Sequence, residues 1–576
     1  MKLHRWFLSA AAMASPLFAT NLEVTIEPVF NGEPLRLDSL RYETAAAETI
    51  SVTRLSYLSS GFALERDDGK WIEFPESIAW MDAATRRNTY PLADVPPGHY
   101  RSLRFYIGPD AQTNASDVSK YPADHALNPN LDGLHWSWQG GYIFMALEGH
   151  FRTGNTTPEG YALHLARDPN RTRINLTVPL DLTHDAGVLI HFDLAALLNA
   201  PRPLSFGKDG TATHSRDGDP VAVSLTSNLP GAFRVNKVAS VETTARKLPP
   251  VTPIDLPEKF TPYRFTMSRT FPVPDLPRDN PLINERVALG EKLFHEKALS
   301  RDGSISCASC HQSDAAFTDR LPVSNGIEGR KGDRNAMPLL NLAWKKEFFW
   351  DGRAKSLREQ VLMPIQDHRE MDESPEHICE KLTVDQDYLH LFQAAFHSPG
   401  ITAEKISLAL EQFLLTLSAR DSKFDRALAG KAEFSDEEKR GFELFMTENE
   451  PRTGQLGADC FHCHGGPLFS DHQFHNNGLE GDEPGRAKVT GLPGDQGKFS
   501  TPTLRNVYLT APYMHDGRFA TLEEVVEHYS SGIHRSGTLD PNIAKHPEKG
   551  LNLNTADKAA LVAFLKTLTD VKPSGP

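Results

Sequence analysis

Cysteine is scarce, with five residues in a chain of 576. Four of them fall into two short clusters and Cys379 stands alone, so no disulfide framework can be built. Cys379 is expected to pack on a helix as a small apolar group. Positive charge is in deficit: 61 Lys and Arg face 75 Asp and Glu, a net charge of −14. That balance excludes nucleic acid and anionic membrane surfaces as electrostatic partners. No interior run is long and apolar enough to span a bilayer. The chain is too long for one core, and about two to four domains are expected.

The ends of the chain and its middle differ in pattern. Lys2, His4 and Arg5 precede an apolar run from Trp6 to Ala14, followed by small residues up to Ala19 and Thr20. Residues 1–20 read as a secretory signal, cleaved near Ala19, which directs the protein to the periplasm. A buried first helix is the alternative. From 21 to 240 short alternating runs, such as Leu22-Glu23-Val24-Thr25-Ile26 and Arg173-Ile174-Asn175-Leu176-Thr177-Val178, are bounded by Gly, Pro, Asn and Asp. They predict an antiparallel β-sandwich. Prolines crowd the stretch 241–281, which reads as an extended link between domains, lying over one of them or free. From 282 onward the spacing is helical, in Glu285 to His295 and Ala403 to Leu417. Ser435-Asp436-Glu437-Glu438 marks a helix start ahead of Phe442 and Phe445. The fold class is therefore a β domain followed by mostly α-helical lobes, one at 282–430 and one at 431–576.

Each helical lobe carries one cysteine cluster just after such a helix: Cys307-Ala308-Ser309-Cys310-His311 and Cys460-Phe461-His462-Cys463-His464. Two thiols one helical turn apart can add to the two vinyl groups of a haem, and the adjacent His supplies the proximal nitrogen to iron. Two such sites in one chain point to two covalent haem c groups. A zinc site of four Cys and two His is the alternative. It explains less well why His immediately follows the second Cys in both clusters.

With these motifs stand Phe317-Thr318-Asp319, Gly332-Asp333-Arg334-Asn335, Phe349-Trp350-Asp351-Gly352-Arg353-Ala354, Thr503-Leu504-Arg505-Asn506-Val507 and Ala511-Pro512-Tyr513-Met514-His515-Asp516-Gly517. Together, residues 282–571 resemble the bacterial di-haem cytochrome c peroxidases, a family that includes MauG-type enzymes. The resemblance implies that the first haem takes peroxide and the second stores or relays electrons. In many plain peroxidases a distal His falls in the segment Ser324-Asn325-Gly326-Ile327-Glu328-Gly329. Here Ile327 stands in its place and cannot ligate iron, which implies an open first haem unless a residue such as His368 caps it. The resemblance puts the sixth ligand of the second haem at Tyr529, as in MauG-type enzymes, where plain peroxidases have Met; His528 and Met514 are rivals. It further implies a bridging role for Trp350 and a calcium site from Asn335 with the carbonyls of Thr510 and Pro512, hard oxygen ligands that suit this ion. Glu370 matches the acid beside the peroxide site, where a carboxylate can carry a proton between the peroxide oxygens.

A plain peroxidase needs no large β domain. Gly133-Leu134-His135-Trp136-Ser137-Trp138-Gln139-Gly140-Gly141-Tyr142, with Ala146-Leu147-Glu148-Gly149 and Tyr161-Ala162-Leu163-His164-Leu165, resembles the MbnP family of periplasmic copper-associated proteins. The resemblance implies that a di-haem partner, called MbnH, oxidises one Trp of such a domain to kynurenine, which joins histidines in a copper site. This chain thus reads as both halves fused. Trp136 and Trp138 would point to one face of a strand, and both are candidates for oxidation. Imidazoles suit copper, so His135, His164 and His191 are candidate ligands.

The leading expectation is a peroxide-dependent di-haem oxidase that converts a Trp of its own or a neighbouring N-terminal domain to kynurenine. The runner-up is a peroxide-detoxifying cytochrome c peroxidase with an accessory domain. A third reading is an electron-transfer and copper-carrying protein without turnover. Ile327 and Tyr529 speak against the second, and Glu370 beside an open haem speaks against the third. Hydrogen peroxide, copper and a small electron-donor protein are the expected partners, with no nucleic acid and no membrane span.

Overall fold

The computed structural model describes residues 19–136, 140–240, 251–450 and 454–571. The basic, apolar start up to residue 18, Trp138 and the beginning of the proline-rich stretch lie outside the described residues. Thr20 opens the first strand.

The N-terminal region is built from two curled sheets around one core that runs from Leu22 to Phe233. Strict alternation of buried and exposed residues in Thr172–Asp181, and near-strict alternation in Thr20–Phe30, is what makes these segments half-buried strands. The larger sheet runs Thr172–Asp181, His99–Ile107, Arg54–Arg66, Ile143–Thr153, Glu159–Ala166 and Ala212–Thr213 in spatial order. Its pairings are antiparallel except the last, in which Ala162 and Leu163 lie beside Ala212 and Thr213 in parallel.

Two further features depart from a purely antiparallel sandwich. Thr20–Phe30 pairs in parallel with Ala186–Asp193, a strand far away in sequence. The region also holds a helix, Pro220–Ala232, whose Asp219 cap accepts from Val221 and Ala222 and whose Val221, Leu225 and Leu229 are buried. Pro at its first turn and apolar residues four apart favour a helix here, but it is too short to stand out from its β surroundings.

One stretch of the larger sheet is buried on both faces. All residues from Ile143 to Phe151, and from Gly160 to Ala166, are covered. One face packs on the β core, and the other carries Glu148, His150 and His164 against the helical half. His150 Nε2 lies 2.8 Å from the Leu539 carbonyl, and Asn542 Nδ2 donates to Glu148 Oε2 at 3.2 Å. At the centre, Gly160 sits so close to the short helix Pro541–Ala544 that an added Cβ would lie 1.9 Å from the Pro541 carbonyl oxygen.

The helical half has two large cores, one from Phe271 to Leu468 and one from Phe424 to Leu568, and a small cluster of Ile533, Leu539 and Ala544. The two large cores repeat one design. Gly290 on Asn284–Phe294 lets that helix cross Ala403–Thr416 at Ala409, where a Cβ would meet the Ala409 carbonyl oxygen at 2.0 Å. Gly441 on Asp436–Phe445 crosses Thr555–Lys566 at Ala560 with the same clearance to within 0.1 Å. The expected capping box between Ser435 and Glu438 is present.

The proline-rich segment is not a free tether. From Ile254 it lies over the first lobe, where Arg286 donates to the Ile254 and Asp255 carbonyls and Trp344 Nε1 donates to Pro272 O at 2.7 Å. Val273 O also accepts from Asn128 Nδ2 of the β domain at 3.0 Å. Cys379 is half-buried on the helix Pro375–Thr383, against the first core. No described helix is long and apolar enough to cross a membrane.

Candidate active site and domain junction

In the first lobe Cys307–Cys310 forms a single helical turn, started by a reciprocal cap between Ser306 and Ser309. The turn points both thiols into a cavity of about 980 Å³, which also takes in His311, Trp350 and Glu370. His311 Nδ1 donates to the Phe317 carbonyl at 2.9 Å, which fixes the ring and leaves Nε2 as the ligating nitrogen. The second lobe repeats the device: His464 Nδ1 donates to the Phe469 carbonyl at 3.1 Å, beside Cys460–His462. Burial pushes the Lys345 amine on the cavity wall down to about 8. Such a desolvated cation suits an anionic substituent such as a haem propionate. Two thiols, an oriented imidazole and an amine around a cavity of this size fit haem c.

Ile327 is fully buried, with its backbone N–H on the Glu370 carbonyl at 2.9 Å. His368, considered as a cap for the first haem, is exposed and lies by Asp367. Its side chain therefore faces solvent. Burial, with the Asp367 charge added to it, raises the Glu370 carboxyl above the ordinary glutamate value, against the pull of Arg353 and Arg369. A carboxyl so placed can hold a proton and release it. Trp350 is buried and donates through Nε1 to the Asn335 carbonyl at 2.9 Å, while its own carbonyl accepts from Ser500 N of the second lobe at 2.7 Å. Asn335 N reaches the His515 carbonyl at 2.8 Å, and its Nδ2 lies 3.2 Å from the carbonyls of Leu321 and Pro322. Thr510 and Pro512 are buried close by in sequence to His515.

Near the second motif, Tyr529 on Leu522–Ser531 and Met514 meet at one amide: Asn477 Nδ2 lies 3.4 Å from the Tyr529 hydroxyl and 3.5 Å from Met514 Sδ. Burial raises the Tyr529 phenol to about 12, and the Cys463 and Cys460 thiols beside it add to the rise. His528 is turned away, with Nε2 3.0 Å from the Asn477 carbonyl.

The N-terminal site residues are not arranged as a strand would arrange them. Trp136 lies in a tight loop, its N–H on the Gly141 carbonyl and its own carbonyl accepting from Gly140 N. Trp138 lies outside the described residues. The Trp136 ring is 5.4 Å from the His214 ring, and His214 is 5.4 Å from Phe461, the residue after Cys460. The expected set of copper ligands does not assemble. His135 packs edge-on to Tyr142, and half-buried His191 bonds to Asn236 on the other sheet. Among the described residues, His164 instead groups with His214 and His462, with ligand atoms all within 4.8 Å of one another.

The alternation of a strand says which residues share a face, but not which face another domain covers. His214 follows the two-residue strand Ala212–Thr213, whose parallel pairing with Ala162 and Leu163 brings it beside His164. Two residues carry no periodicity. His462 was visible in the sequence as a second imidazole inside an attachment motif, and that was its only signal.

Residues 284–433 match the family model of the di-haem cytochrome c peroxidases, and residues 19–215 match that of MbnP. The methylamine utilization protein MauG of Methylorubrum extorquens is 38% identical over 51% of this chain and 80% of its own length. A cytochrome c551 peroxidase of Nitrosomonas europaea is 35% identical over 53% of this chain and 86% of its own. A solved MauG-like protein associated with microbial copper homeostasis is 35% identical, covering 54% of this chain and 96% of its own, with a TM-score of 0.48. With its two haem c sites, the chain belongs to the di-haem cytochrome c peroxidase family, as a MauG-like, peroxidase-type oxidoreductase joined to an MbnP domain.

Proposed function

We propose that the oxidising power of this enzyme is directed at its own N-terminal domain: two molecules of hydrogen peroxide oxidise the Trp136 indole, water releases its C2 as formate, and the kynurenine left behind prepares a copper site. One observation carries the reading: Trp136, His214 and Phe461 form a continuous series of ring contacts from the MbnP domain to the second attachment motif. Haem c bound at the two motifs supplies peroxide reduction and the storage of oxidising equivalents. Glu370 holds and passes a proton at the first cavity. Trp350, wedged between the lobes, joins them, and Tyr529 would help hold the second haem. Asn335, with the carbonyls of Thr510 and Pro512, offers calcium an oxygen-only donor set at the lobe junction. Of the expected copper ligands, His164 packs against His214, which in turn contacts Trp136, so the product's aryl amine and carbonyl would form one ring away from it. The packing of Gly160 on Pro541–Ala544 supports modification within one chain rather than between neighbours. The periplasm is the proposed compartment, with a small electron-donor protein as the source of electrons.

Peptide mapping of the haem-loaded full chain before and after peroxide tests this. The peptide holding Trp136 should lose one carbon and gain one oxygen. Intact Trp136 and Trp138 after treatment would return the protein to peroxide detoxification.

A further inference from the structure

We propose that His164, His214 and His462 form one three-imidazole site for Cu(I), divided between the two domains and completed by the residue that stands between the cysteines of the second haem motif. From the proposed function this takes only that the MbnP domain is copper-associated. It does not require the tryptophan to be oxidised.

The three rings meet edge to face or tilted, 5.3–5.4 Å apart. Each is held from behind by a carboxylate. His164 Nε2 is on Glu148 Oε1 at 2.9 Å, leaving Nδ1 buried without a hydrogen-bond partner. His214 Nδ1 is on Glu448 Oε2 at 3.1 Å, leaving Nε2 in the same condition. His462 Nε2 is on Glu448 Oε2 at 3.0 Å. A carboxylate on one ring nitrogen with the other left free is how metal-bound histidines are oriented. A buried imidazole nitrogen without a partner is costly unless something fills its place. With metal–nitrogen bonds of about 2.0 Å, small ring rotations bring all three onto one ion.

The surrounding charges also accommodate a cation. Glu148, Glu448 and Asp459 face Arg54 and Lys545, with Lys545 Nζ 3.3 Å from His462 Nε2. His546 Nε2 lies on Asp459 Oδ2 at 2.9 Å. Three carboxylates against two cations leave a negative charge that accommodates a bound cation. Neutral imidazoles suit copper. A pocket of about 270 Å³ reaches the site, with Met446, His214 and Glu448 in its wall, and gives the ion an entry path. Since His462 belongs to the second attachment motif and His164 and His214 to the MbnP domain, the ion would pin the two domains together.

The test is competition for Cu(I) between a coloured chelator and the anaerobic, haem-loaded full chain, without prior peroxide. The wild type should bind one equivalent. His462→Gln and His214→Asn should each weaken binding by on the order of 100-fold or more, since even the partners behind a ligand are worth 10–100-fold. The haem content of each variant is checked by its absorbance, and His214→Asn lies outside the attachment motif in case His462→Gln disturbs it. Copper should also shift the spectrum of the second haem in the wild type and not in His462→Gln. If His462→Gln binds as tightly as the wild type, the site lies within the MbnP domain and the proposal fails. No binding by the wild type overturns it as well. Binding that depends on His462 in a protein whose Trp136 peroxide leaves intact would support the site and refute the oxidation reading.

Discussion

Replacing Gly160 by Ala puts the docking of the two domains to a direct test. Gly160 lies in a regular strand without a positive φ, so alanine is acceptable to the strand itself and the MbnP domain should fold. The added Cβ, however, would sit 1.9 Å from Pro541 O, 2.7 Å from Pro541 C and 2.9 Å from Lys545 N, all backbone of the helical half. Since no rotamer can relieve such contacts, the domains must separate by about 1 Å or more to restore van der Waals distance. His150, directly across from Gly160 in the sheet, would lose its bond to Leu539 O, costing about 1 kcal/mol. The ring series from Trp136 to Phe461 spans the same junction. A misplacement of this size can cost on the order of 100-fold in rate. We therefore expect Trp136 oxidation to slow by about that factor, followed by timed peptide mapping. Peroxide turnover with a small soluble reductant should stay near the wild-type rate, because the first cavity lies elsewhere. If Trp136 is oxidised at the wild-type rate in Gly160→Ala, the docked arrangement is not the one that reacts, and the argument from ring contacts is wrong.

Tyr529→Phe should change the electron paramagnetic resonance signal of the ferric second haem and leave that of the first. An unchanged signal would hand the ligand role to Met514, which shares Asn477 with the tyrosine. Trp350→Phe should retain both haems while weakening the communication between them, seen as a peroxide-induced spectrum confined to the first; an unaltered spectrum would remove Trp350 from the pathway. Asp132, just ahead of the Trp136 loop, is raised from 3.8 to about 7 by burial. Its folded form holds a proton that the unfolded chain has released, so stability should fall as pH rises from about 4 to 7 and level off above. Asp132→Asn should flatten the thermal-unfolding profile by up to one proton across that window. Identical slopes in the two proteins would refute the assignment.

The parts of this molecule that could be read from sequence are those fixed by local chemistry. A haem attachment site needs its two thiols and its imidazole within one turn, so Cys307–His311 and Cys460–His464 declare themselves. The Ser435–Glu438 cap does so because both partners lie within four residues. The parallel pairing of Thr20–Phe30 with Ala186–Asp193 could not be read, since alternation reveals a strand's faces but not its neighbour. His191 and His164 looked equivalent as strand histidines. Only the docking of the helical half, which buries the second face of Ile143–Thr153 and Glu159–Ala166, separates them. The motif offered Trp136 and Trp138 alike as candidates, and the surroundings of Trp136 were not part of it. Those surroundings depend on residues hundreds of positions away, and Phe461 and His462 had already been assigned to haem attachment.

The position of Phe461 and His462 also imposes an order on how the protein is made. Both lie under the MbnP domain, Phe461 buried and the His462 side chain only 3% exposed. Any apparatus that joins haem to Cys460 and Cys463 has to grip the chain around them, and cannot do so once the junction has closed. The MbnP domain, which precedes the haem lobes in the chain, must then wait undocked until the last haem is in place. Closure of the junction then follows haem attachment and precedes any oxidation of Trp136, and a chain that closes early would be sealed with one haem missing.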